Sequence, residues 1–552
     1  MRTFLAPANW LGFGPADFLL LEVSVLLALA LWRFHVEFTC PKLISDHRNI
    51  WTIAIFIAPI ALRLAILPRY PAPAPSGADD FGYLLLADTI RHGRLANPQL
   101  PLPDFFEQIF VLQRPTFSSM FNLGQGLVLA LGWMVFAHPW AGVLISIGVF
   151  CASVYWMLRA WTTCGWALVG ACLAIMLFGP VCYWSNCYWG GAVSASAGCL
   201  VFGSLPRLTK IPRTASALLL GIGLAAQLLT RPFEFLLLAV SAVTFFSLDR
   251  AILNRTVAVC AIPLLAAGGL ILLQNKRVTG SWTILPYQLY RYQYGIPATF
   301  TFQPNAVPHE RLNAEKELDY RAEAVIHGDA PETVKSYFAR LFFRVRFLRF
   351  FLFAPLYVAA AAFLWRLHER RLVWVVFTLL LFALGSNLYP YFYPHYAAAL
   401  SCLLILIAVL GAQKLGAGGL AILILCALQF TLTYGLYALG YAEAAREFAP
   451  WDFINYGDPQ GRIAVERSLE KQPGKQLVFV RYSPEHRFAE WIHNSANVDA
   501  SKTIWVHDLG PDRNQQLIRL YPDRAPWLLL PDAEPPVLQR YLEDSRLFQD
   551  VQ

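Results

Sequence analysis

Two adjacent aspartates, Asp79 and Asp80, are the residues of this chain whose type and spacing are best suited to chemistry. They lie in the segment Ser76-Gly-Ala-Asp-Asp-Phe-Gly-Tyr83, beyond an apolar run at residues 50–67. A carboxylate at such a place can act as a general base on a hydroxyl group. The pair can also hold a divalent cation through its oxygen atoms. The simpler alternative is helix capping, because Asp is favoured at helix N-termini, but capping needs only one of the two.

Side chains that could bind a phosphate form a second group. Arg231 and His395 lie at corners between apolar runs, where they have little freedom, and we rank them first. Arg63 lies inside an apolar run, where an arginine is costly and is a functional candidate by default. Arg114 and Arg291 lie in longer polar segments. A planar guanidinium is well suited to a phosphate group, and an imidazole can bind a phosphate or shuttle a proton.

Each of these side chains has a simpler alternative, and the sequence leaves both readings open. Arg231 could pair with a carboxylate three residues further on, a spacing of one helical turn. Arg63 could extend to the membrane interface, His395 could be merely hydrogen-bonded, and the loop arginines could be solvated. Three residues of the same segments are expected to line a substrate pocket: Tyr83, Glu234 and Tyr393.

The composition places these residues in a membrane protein. Hydrophobic residues make up 57% of the 552 residues and charged residues 14%, with a mean hydropathy of +0.46. Soluble domains have roughly 25% charged residues. A soluble enzyme, a disordered protein and a disulfide scaffold are therefore excluded. The net charge of +8 comes without a basic repeat or an aromatic–basic stacking pattern, so nucleic acid is not expected as a partner.

Apolar runs of the length that crosses a bilayer predict about twelve transmembrane helices. The short run at residues 122–137 is followed directly by His138-Pro139, and we interpret it as a half-inserted helix. Lys and Arg are concentrated in one set of short connections, which should be cytoplasmic. The opposite, outer side then carries loops at about 68–121 and 275–347, the 387–395 turn, and the tail. We therefore expect a membrane domain over residues 1–440.

The tail, residues 441–552, has normal polarity and reads as a small α/β domain on the outer side. Residues 476–482, 503–508 and 527–530 are short β-branched or aromatic runs bounded by turn residues, which is typical of strands. Residues 489–494 and 514–520 between them are expected to be helical. This order of elements predicts a parallel sheet. No glycine-rich nucleotide motif is present, so we interpret the domain as a lid or docking domain.

The layout resembles the GT-C superfamily of membrane glycosyltransferases, which includes protein O-mannosyltransferases and the aminoarabinose transferases of lipid A. The resemblance rests on an acidic pair at the start of the first outer loop, many crossings, juxtamembrane helices and an outer soluble domain. Segments 78–89, 125–132, 188–193 and 231–234 are similar to those of uncharacterised bacterial members. Phe-Asn-Leu-Gly stands before the half-inserted helix where the family often has Pro-Pro.

The resemblance implies a glycosyltransferase in the bacterial cytoplasmic (inner) membrane, with its active site on the outer, periplasmic side. A sugar on a polyprenyl phosphate would pass to an acceptor hydroxyl of a cell-envelope glycan, lipid or protein. Asp79 and Asp80 would supply the general base or bind a divalent cation. Developing negative charge on the departing phosphate would be stabilised by cationic side chains: Arg231, His395, Arg63, Arg114 and Arg291.

A transporter or lipid flippase without glycosyl transfer is the alternative class. Such proteins often contain internal repeats and polar residues at mid-membrane, and we find no convincing repeat here. The two classes differ in geometry. Asp79, Arg231 and His395 should line one outer cavity in a transferase and should be scattered otherwise.

Overall fold

The computed structural model describes residues 9–34, 47–246, 250–328, 331–450, 458, 461–486 and 489–541, with the backbone alone at 250–255. In these residues the protein is helical, with a small sheet near its C-terminus. The first ten helices are α1 (Pro15–Leu31), α2 (Arg48–Ala65), α3 (Ala78–Arg91), α4 (Leu123–Phe136), α5 (Pro139–Leu158), α6 (Cys164–Phe178), α7 (Ala192–Lys210), α8 (Thr214–Thr230), α9 (Pro232–Phe246) and α10 (Arg250–Thr279).

Further helices follow in the second outer loop, the last apolar segments and the tail. They are α11 (Pro286–Tyr294), α12 (Ala314–His327), α13 (Val334–Arg344), α14 (Leu348–Phe351), α15 (Leu356–Phe363), α16 (Arg370–Ser386), α17 (Ser401–Lys414), α18 (Ala417–Leu439), α19 (Ala442–Arg446), α20 (Arg462–Glu470) and α21 (Pro511–Leu520). Short 3₁₀ turns include Pro103–Phe106, Tyr183–Ser185 and Pro394–Leu400.

The described part of the chain contains five helical segments long and apolar enough to cross a membrane, or six if a bent pair is one span. The five are Arg48–Ala65, Pro139–Leu158, Thr256–Thr279, Pro394–Lys414 and Ala417–Leu439. Four shorter apolar helices accompany them: α4, α6, α8 and α9. A helical protein with several apolar helices is confirmed. The predicted count of about twelve crossings is not, because many of the predicted runs fold into helices shorter than a bilayer needs.

Helix α4, the predicted half-inserted segment, has only 14 residues and packs antiparallel to α5 through a joint at His138. A Cβ atom on Gly132 would lie 2.1 Å from the backbone nitrogen of Gly142. The two helices can approach this closely only because both positions are glycine. The end of α4 leaves Met134 and Phe136 exposed, as expected of an apolar helix that faces lipid.

The tail contains one four-stranded sheet. Its strands are β3 (Lys475–Val480), β4 (Thr503–His507), β5 (Arg524–Leu530) and β6 (Val537–Arg540), in the order β4-β3-β5-β6. β3 pairs in parallel with β4 and β5, and β6 pairs antiparallel with β5. The three predicted strands and their parallel arrangement are therefore confirmed. The helix expected at 514–520 is confirmed as part of α21.

The helix expected at residues 489–494 is wrong, because the described residues there are irregular. The Asn494 side chain binds the backbone of Trp505 in β4 twice, donating to its carbonyl at 2.8 Å and accepting from its amide at 3.0 Å. Trp491 and Ile492 pack on the sheet. Bonds to the neighbouring strand thus replace the bonds within a helix.

The first outer loop packs directly on this sheet. It contains α3, the Pro103–Phe106 turn and a short hairpin of β1 (Val111–Leu112) and β2 (Ser118–Ser119). Phe105 and Phe117 share an apolar cluster with Phe479 and Ile504 of the sheet. The first outer loop and the tail therefore share a hydrophobic core, and the boundary at residue 440 remains a prediction.

A buried carboxylate of α3 reinforces that contact and can be tested. Asp88 accepts a hydrogen bond from the Ala496 amide of the tail at 2.7 Å and pairs with Arg91 at 2.6 Å. Asp88→Ala should lower stability by about 1–3 kcal/mol, because it leaves a buried amide without an acceptor. Limited proteolysis of the tail and the apparent Tm in detergent measure the loss.

Asp104→Ala is the matched control for this prediction. Asp104 lies in the same loop and bridges Arg114 and Arg513 of the tail, but its side chain is 44% exposed. Exposed ion pairs contribute about 0–1 kcal/mol. Equal losses in the two variants would contradict the importance assigned to the buried amide.

Candidate active site

A cavity of about 980 Å³ lies where the first outer loop, the second outer loop and the tail meet the helix ends. Its wall includes the start of α3, the corner between α8 and α9, helices α11 and α12, and the aromatic turn before residue 396. Seven of the residues predicted for the site line this cavity: Asp79, Tyr83, Arg231, Glu234, Arg291, Tyr393 and His395.

The two aspartates of the pair point in different directions. Successive residues of a helix are about 100° apart, so only one of them can face the cavity at the start of α3. Asp79 lines the cavity. Asp80 is 5% exposed and accepts hydrogen bonds from the amides of Tyr188 at 2.9 Å and Ser76 at 3.2 Å. Asp80 therefore stabilises the N-terminus of α3, and Asp79 is the residue of the pair whose side chain faces the cavity.

Asp79 has the electrostatics of a general base near neutral pH. Burial and the neighbouring charge of Asp80 raise the pKa of the Asp79 carboxyl to about 7, against a lowering effect of Arg231. Glu323 of α12 raises it further. A general base works best when its pKa lies near the operating pH. A residue in this state can accept a proton from a substrate hydroxyl and release it to solvent.

Arg231 faces the same cavity from the α8–α9 corner. Its Nη1 atom lies 3.7 Å from Glu234 Oε1, and its guanidinium lies 4.5 Å from the centre of the Tyr396 ring. The pairing with Glu234 expected as the alternative is therefore present, but it is longer than a hydrogen bond. Arg291 of α11 lies 5.4 Å from the Tyr287 ring centre and lines the cavity as well.

His395 and two tyrosines complete the predicted part of the wall. The Nδ1 atom of His395 lies 3.1 Å from the Tyr183 hydroxyl, and its ring stacks on Tyr393 at 5.4 Å between centres. Tyr83 stacks on Phe121 at 4.1 Å. Ring contacts of this kind hold the side chains in place, so this part of the wall is rigid.

Two predicted phosphate ligands lie outside the cavity lining. Arg63 is fully buried and donates to Asn186 Oδ1 at 2.8 Å and to the carbonyl oxygens of Tyr70 at 2.9 Å and Pro71 at 3.0 Å. It connects the end of α2 to the following turn, and its guanidinium is occupied by these acceptors. Arg114 is half-exposed and pairs with Asp104 at 3.0 Å.

The cavity also contains carboxylates that the sequence analysis missed. Glu315, Asp319 and Glu323 line it from α12, and Glu490 lines it from the tail. Burial and the charges of Glu323 and Asp79 raise the pKa of Asp319 to about 8. Burial and the charge of Glu315 raise the pKa of Glu490. The four-residue spacing of the three α12 residues places them on one helix face, a signal readable in the sequence.

The residues do not fit the divalent cation that Asp79 and Asp80 were expected to hold. The two carboxylates diverge, since Asp80 is occupied by backbone amides. Within the described ranges, no three His, Cys, Asp or Glu side chains are placed to share a metal ion. A hard cation takes six or more oxygen ligands.

Comparison with known proteins identifies the fold. No family model matches the sequence, and no curated protein matches it significantly. The structure is similar to that of ArnT from Cupriavidus metallidurans in the apo state, with a TM-score of 0.51 and 11% identity, over 87% of this chain and 92% of that one. ArnT bound to undecaprenyl phosphate gives a TM-score of 0.49 at 12% identity, covering 87% and 93%.

An archaeal structure is more distantly similar. The oligosaccharyltransferase AglB from Archaeoglobus fulgidus, in complex with an inhibitory peptide and a dolichol-phosphate, gives a TM-score of 0.43 at 11% identity, covering 88% and 70%. The likeness to apo ArnT extends over most of both chains and shows a shared fold. The GT-C resemblance inferred from the sequence is confirmed at the level of the fold.

The state of Asp79 predicts how stability varies with pH. The folded protein holds a proton on Asp79 up to a pH of about 7, whereas an unfolded chain releases it near 3.8. The contribution of Asp79 to the free energy of unfolding is therefore fully present below about pH 4 and is lost as the pH rises to about 7. Asp79→Asn removes the titration. At pH 8 the variant should be more stable than the native protein, by at most about 4 kcal/mol in the free energy of unfolding, and its apparent Tm should be higher. At pH 5 both differences should be smaller.

Glu317→Gln, on the outer side of α12 and paired with Arg321 at 2.7 Å, is the control. It should leave the variation of Tm with pH unchanged. If the Tm of Asp79→Asn equals that of the native protein at every pH, then the pKa of Asp79 is not raised by burial and this interpretation of Asp79 is wrong.

Proposed function

We propose that the protein is a glycosyltransferase that moves a sugar from a polyprenyl-phosphate-linked donor to an acceptor hydroxyl on the outer face of the bacterial cytoplasmic membrane. The observation that carries the proposal is that Asp79 and Arg231 line the same cavity in a GT-C fold and interact electrostatically. One supplies a carboxylate with a pKa near neutrality, and the other supplies a cation at a rigid helix corner.

Asp79 accepts the proton in this reaction. The acceptor oxygen attacks the anomeric carbon of the sugar while its hydroxyl proton passes to the Asp79 carboxylate. The bond between that carbon and the phosphate oxygen breaks, and polyprenyl phosphate leaves with the electron pair. A positioned base of this kind contributes about 10²–10⁴-fold. Nothing in this balance needs a further reactant.

Arg231 stabilises the leaving phosphate. Its contact with Glu234 at 3.7 Å is loose enough for a phosphate oxygen to compete for the guanidinium. The charge on the leaving group grows as the bond breaks, so a fixed cation is worth more in the transition state than in the ground state. Arg291 and His395 line the same cavity and would assist Arg231 in holding the donor.

The arrangement in the membrane belongs to the same proposal. About twelve crossings, a membrane domain over residues 1–440 and an outer domain over 441–552 agree with the distribution of Lys and Arg. The donor must be lipid-linked because no sugar nucleotide is available outside the membrane. The acceptor is a glycan, lipid or protein of the cell envelope.

The convergence of Asp79, Arg231 and His395 favours the transferase over the transporter. A transporter keeps its polar site near the membrane centre, between repeats. Here the three side chains line one cavity together with residues of the outer loops and the tail. No observation on the described residues specifically favours transport.

Substitution of the two central residues tests the proposal. With protein in nanodiscs and labelled polyprenyl-phosphate sugars, Asp79→Asn should lower transfer at least 100-fold, as expected for loss of a general base, while undecaprenyl phosphate binding is retained. Arg231→Gln should weaken binding of undecaprenyl phosphate about tenfold or more, the value of a charge-assisted hydrogen bond. Transfer and lipid binding are measured on the same preparations.

Arg114→Gln is the control for Arg231, because Arg114 is a half-exposed arginine of the same outer face that lies outside the cavity lining. It should keep both transfer and binding. Full activity in Asp79→Asn, or no transfer from any donor by native protein that folds and binds no carrier, would overturn the proposal.

A further inference from the structure

The wall of the cavity carries more acidic than basic side chains. Among the described residues, its lining includes two arginines, Arg231 and Arg291, and six carboxylates: Asp79, Glu234, Glu315, Asp319, Glu323 and Glu490. Glu234 faces Arg231, and Asp79 is the proposed base. Four carboxylates remain, and we call them the carboxylate wall: Glu315, Asp319, Glu323 and Glu490. An anionic lipid donor adds further negative charge to the same cavity.

Three members of the carboxylate wall recur every fourth residue along α12. Like charges at this spacing destabilise a helix, and burial adds a cost that isolated carboxylates do not recover. Part of the wall is stabilised by the protein itself. Glu315 lies 3.5 Å from His486 Nε2, and Glu323 accepts from the Ala298 amide at 3.0 Å.

Glu490 and Asp319 retain oxygen atoms without a partner in the part of the chain that the structure describes. Glu490 is 3% exposed. Its Oε2 accepts from the Ile109 amide at 3.3 Å, and its Oε1 has no hydrogen bond. The Oδ2 atom of Asp319 also has none. A buried acceptor left unpaired costs about 1–3 kcal/mol. Two such atoms at one cavity wall indicate a donor that arrives with a ligand.

The nearest buried lysine does not supply that donor. The Nζ atom of Lys316 lies 3.7 Å from Glu107 and 3.6 Å from the centre of the Tyr294 ring, and it has no hydrogen-bond partner of its own among the described residues. Its charge acts on Glu490 and Glu315 as well as on Glu107, but Lys316 is not part of the cavity lining and donates no hydrogen bond to Glu490 Oε1 or Asp319 Oδ2.

We propose that the acceptor substrate carries an ammonium group, and that the carboxylate wall binds it beside the hydroxyl that reacts. This inference rests on the proposed function, because it assigns the two sides of Asp79 to two substrates. Asp79 interacts electrostatically with Arg231 of the α8–α9 corner and with Glu323 and Asp319 of α12. The donor phosphate takes the arginine side, and the acceptor takes the carboxylate side.

An ammonium group matches this wall better than the other ligands of carboxylates. It has three donors and no acceptor, so it can satisfy unpaired oxygens of several carboxylates at once. A neutral sugar hydroxyl offers one donor and no charge. A metal ion needs ligands that converge, and the described residues contain no such group.

A pair of small probes tests the inference without turnover. Methyl 2-amino-2-deoxyglucoside carries an ammonium group, and methyl 2-acetamido-2-deoxyglucoside is its neutral counterpart. Binding to the full chain in nanodiscs is measured by ligand-observed NMR. The amine should bind at least tenfold more tightly than the acetamide. Asp319→Asn and Glu490→Gln should each reduce that preference toward one.

Controls separate the wall from general charge. Glu317→Gln, a half-exposed carboxylate of the same helix, should keep the full preference. Asp319→Asn replaces a buried carboxyl whose ionisation is unfavourable and should fold at least as well as the native chain, and Glu323→Gln serves as a second test. Equal binding of the two probes, or a preference that survives all the wall variants, would overturn the inference.

Undecaprenyl phosphate distinguishes the source of the ammonium and the failure of each proposal. The amine probe should bind equally well when undecaprenyl phosphate occupies the protein, whereas mutual exclusion would assign the ammonium to the donor and overturn the acceptor assignment. If Arg231→Gln loses lipid binding but no amine preference exists, the proposed function stands and this inference falls. If the preference exists but lipid binding is insensitive to Arg231→Gln, the assignment of the two sides falls with the proposed function.

Discussion

The hydrogen bonds of Asp80 are the interactions on which the site depends. Its carboxylate accepts from the amide of Tyr188, in the turn before α7, and from the amide of Ser76, just before α3. An acidic residue in the first turn of a helix that binds the preceding backbone fixes the helix start. The same bonds fix the rotation of α3, and that rotation directs Asp79 into the cavity. The pair thus divides into one residue that positions the helix and one that faces the cavity.

Arg462 of the tail connects the other side of the same helix start. It donates to the carbonyl oxygens of Pro75 at 3.2 Å and of Glu490, and its guanidinium lies 4.6 Å from the Phe81 ring centre. This one buried cation therefore contacts the segment before α3, α3 itself and Glu490, whose side chain lines the cavity. The tail forms part of the site wall, which is more than the lid or docking function that its composition suggested.

The sequence predicted the residues that lie at fixed corners and missed those whose position depends on distant backbone. Asp79, Arg231 and His395 were found because each follows a helix boundary that hydropathy reveals. Arg63 was chosen for its cost inside an apolar run, but the two carbonyl oxygens that bind it belong to a turn whose path hydropathy does not predict. The irregular segment at 489–494 has the same origin, since Asn494 binds a strand residue, Trp505, that lies eleven residues further along the chain.

The four-residue spacing of Glu315, Asp319 and Glu323 in α12 can be read from the sequence, but their effect on the cavity depends on burial, which the sequence does not show. In a solvated loop, three carboxylates on one helix face are an exposed surface that contributes little to stability. In the cavity wall, burial and the charges of Glu323 and Asp79 raise the pKa of Asp319, and burial and the charge of Glu315 raise the pKa of Glu490. Asp79 thereby belongs to two electrostatic systems at once. Burial and the charge of Asp80 raise the pKa of Asp79 most, Arg231 lowers it, Glu323 of α12 raises it further, and the balance leaves the pKa at about 7. A cation bound at α12 would lower that pKa and leave Asp79 ready to accept a proton, so that occupation of the acceptor side would itself prepare the base.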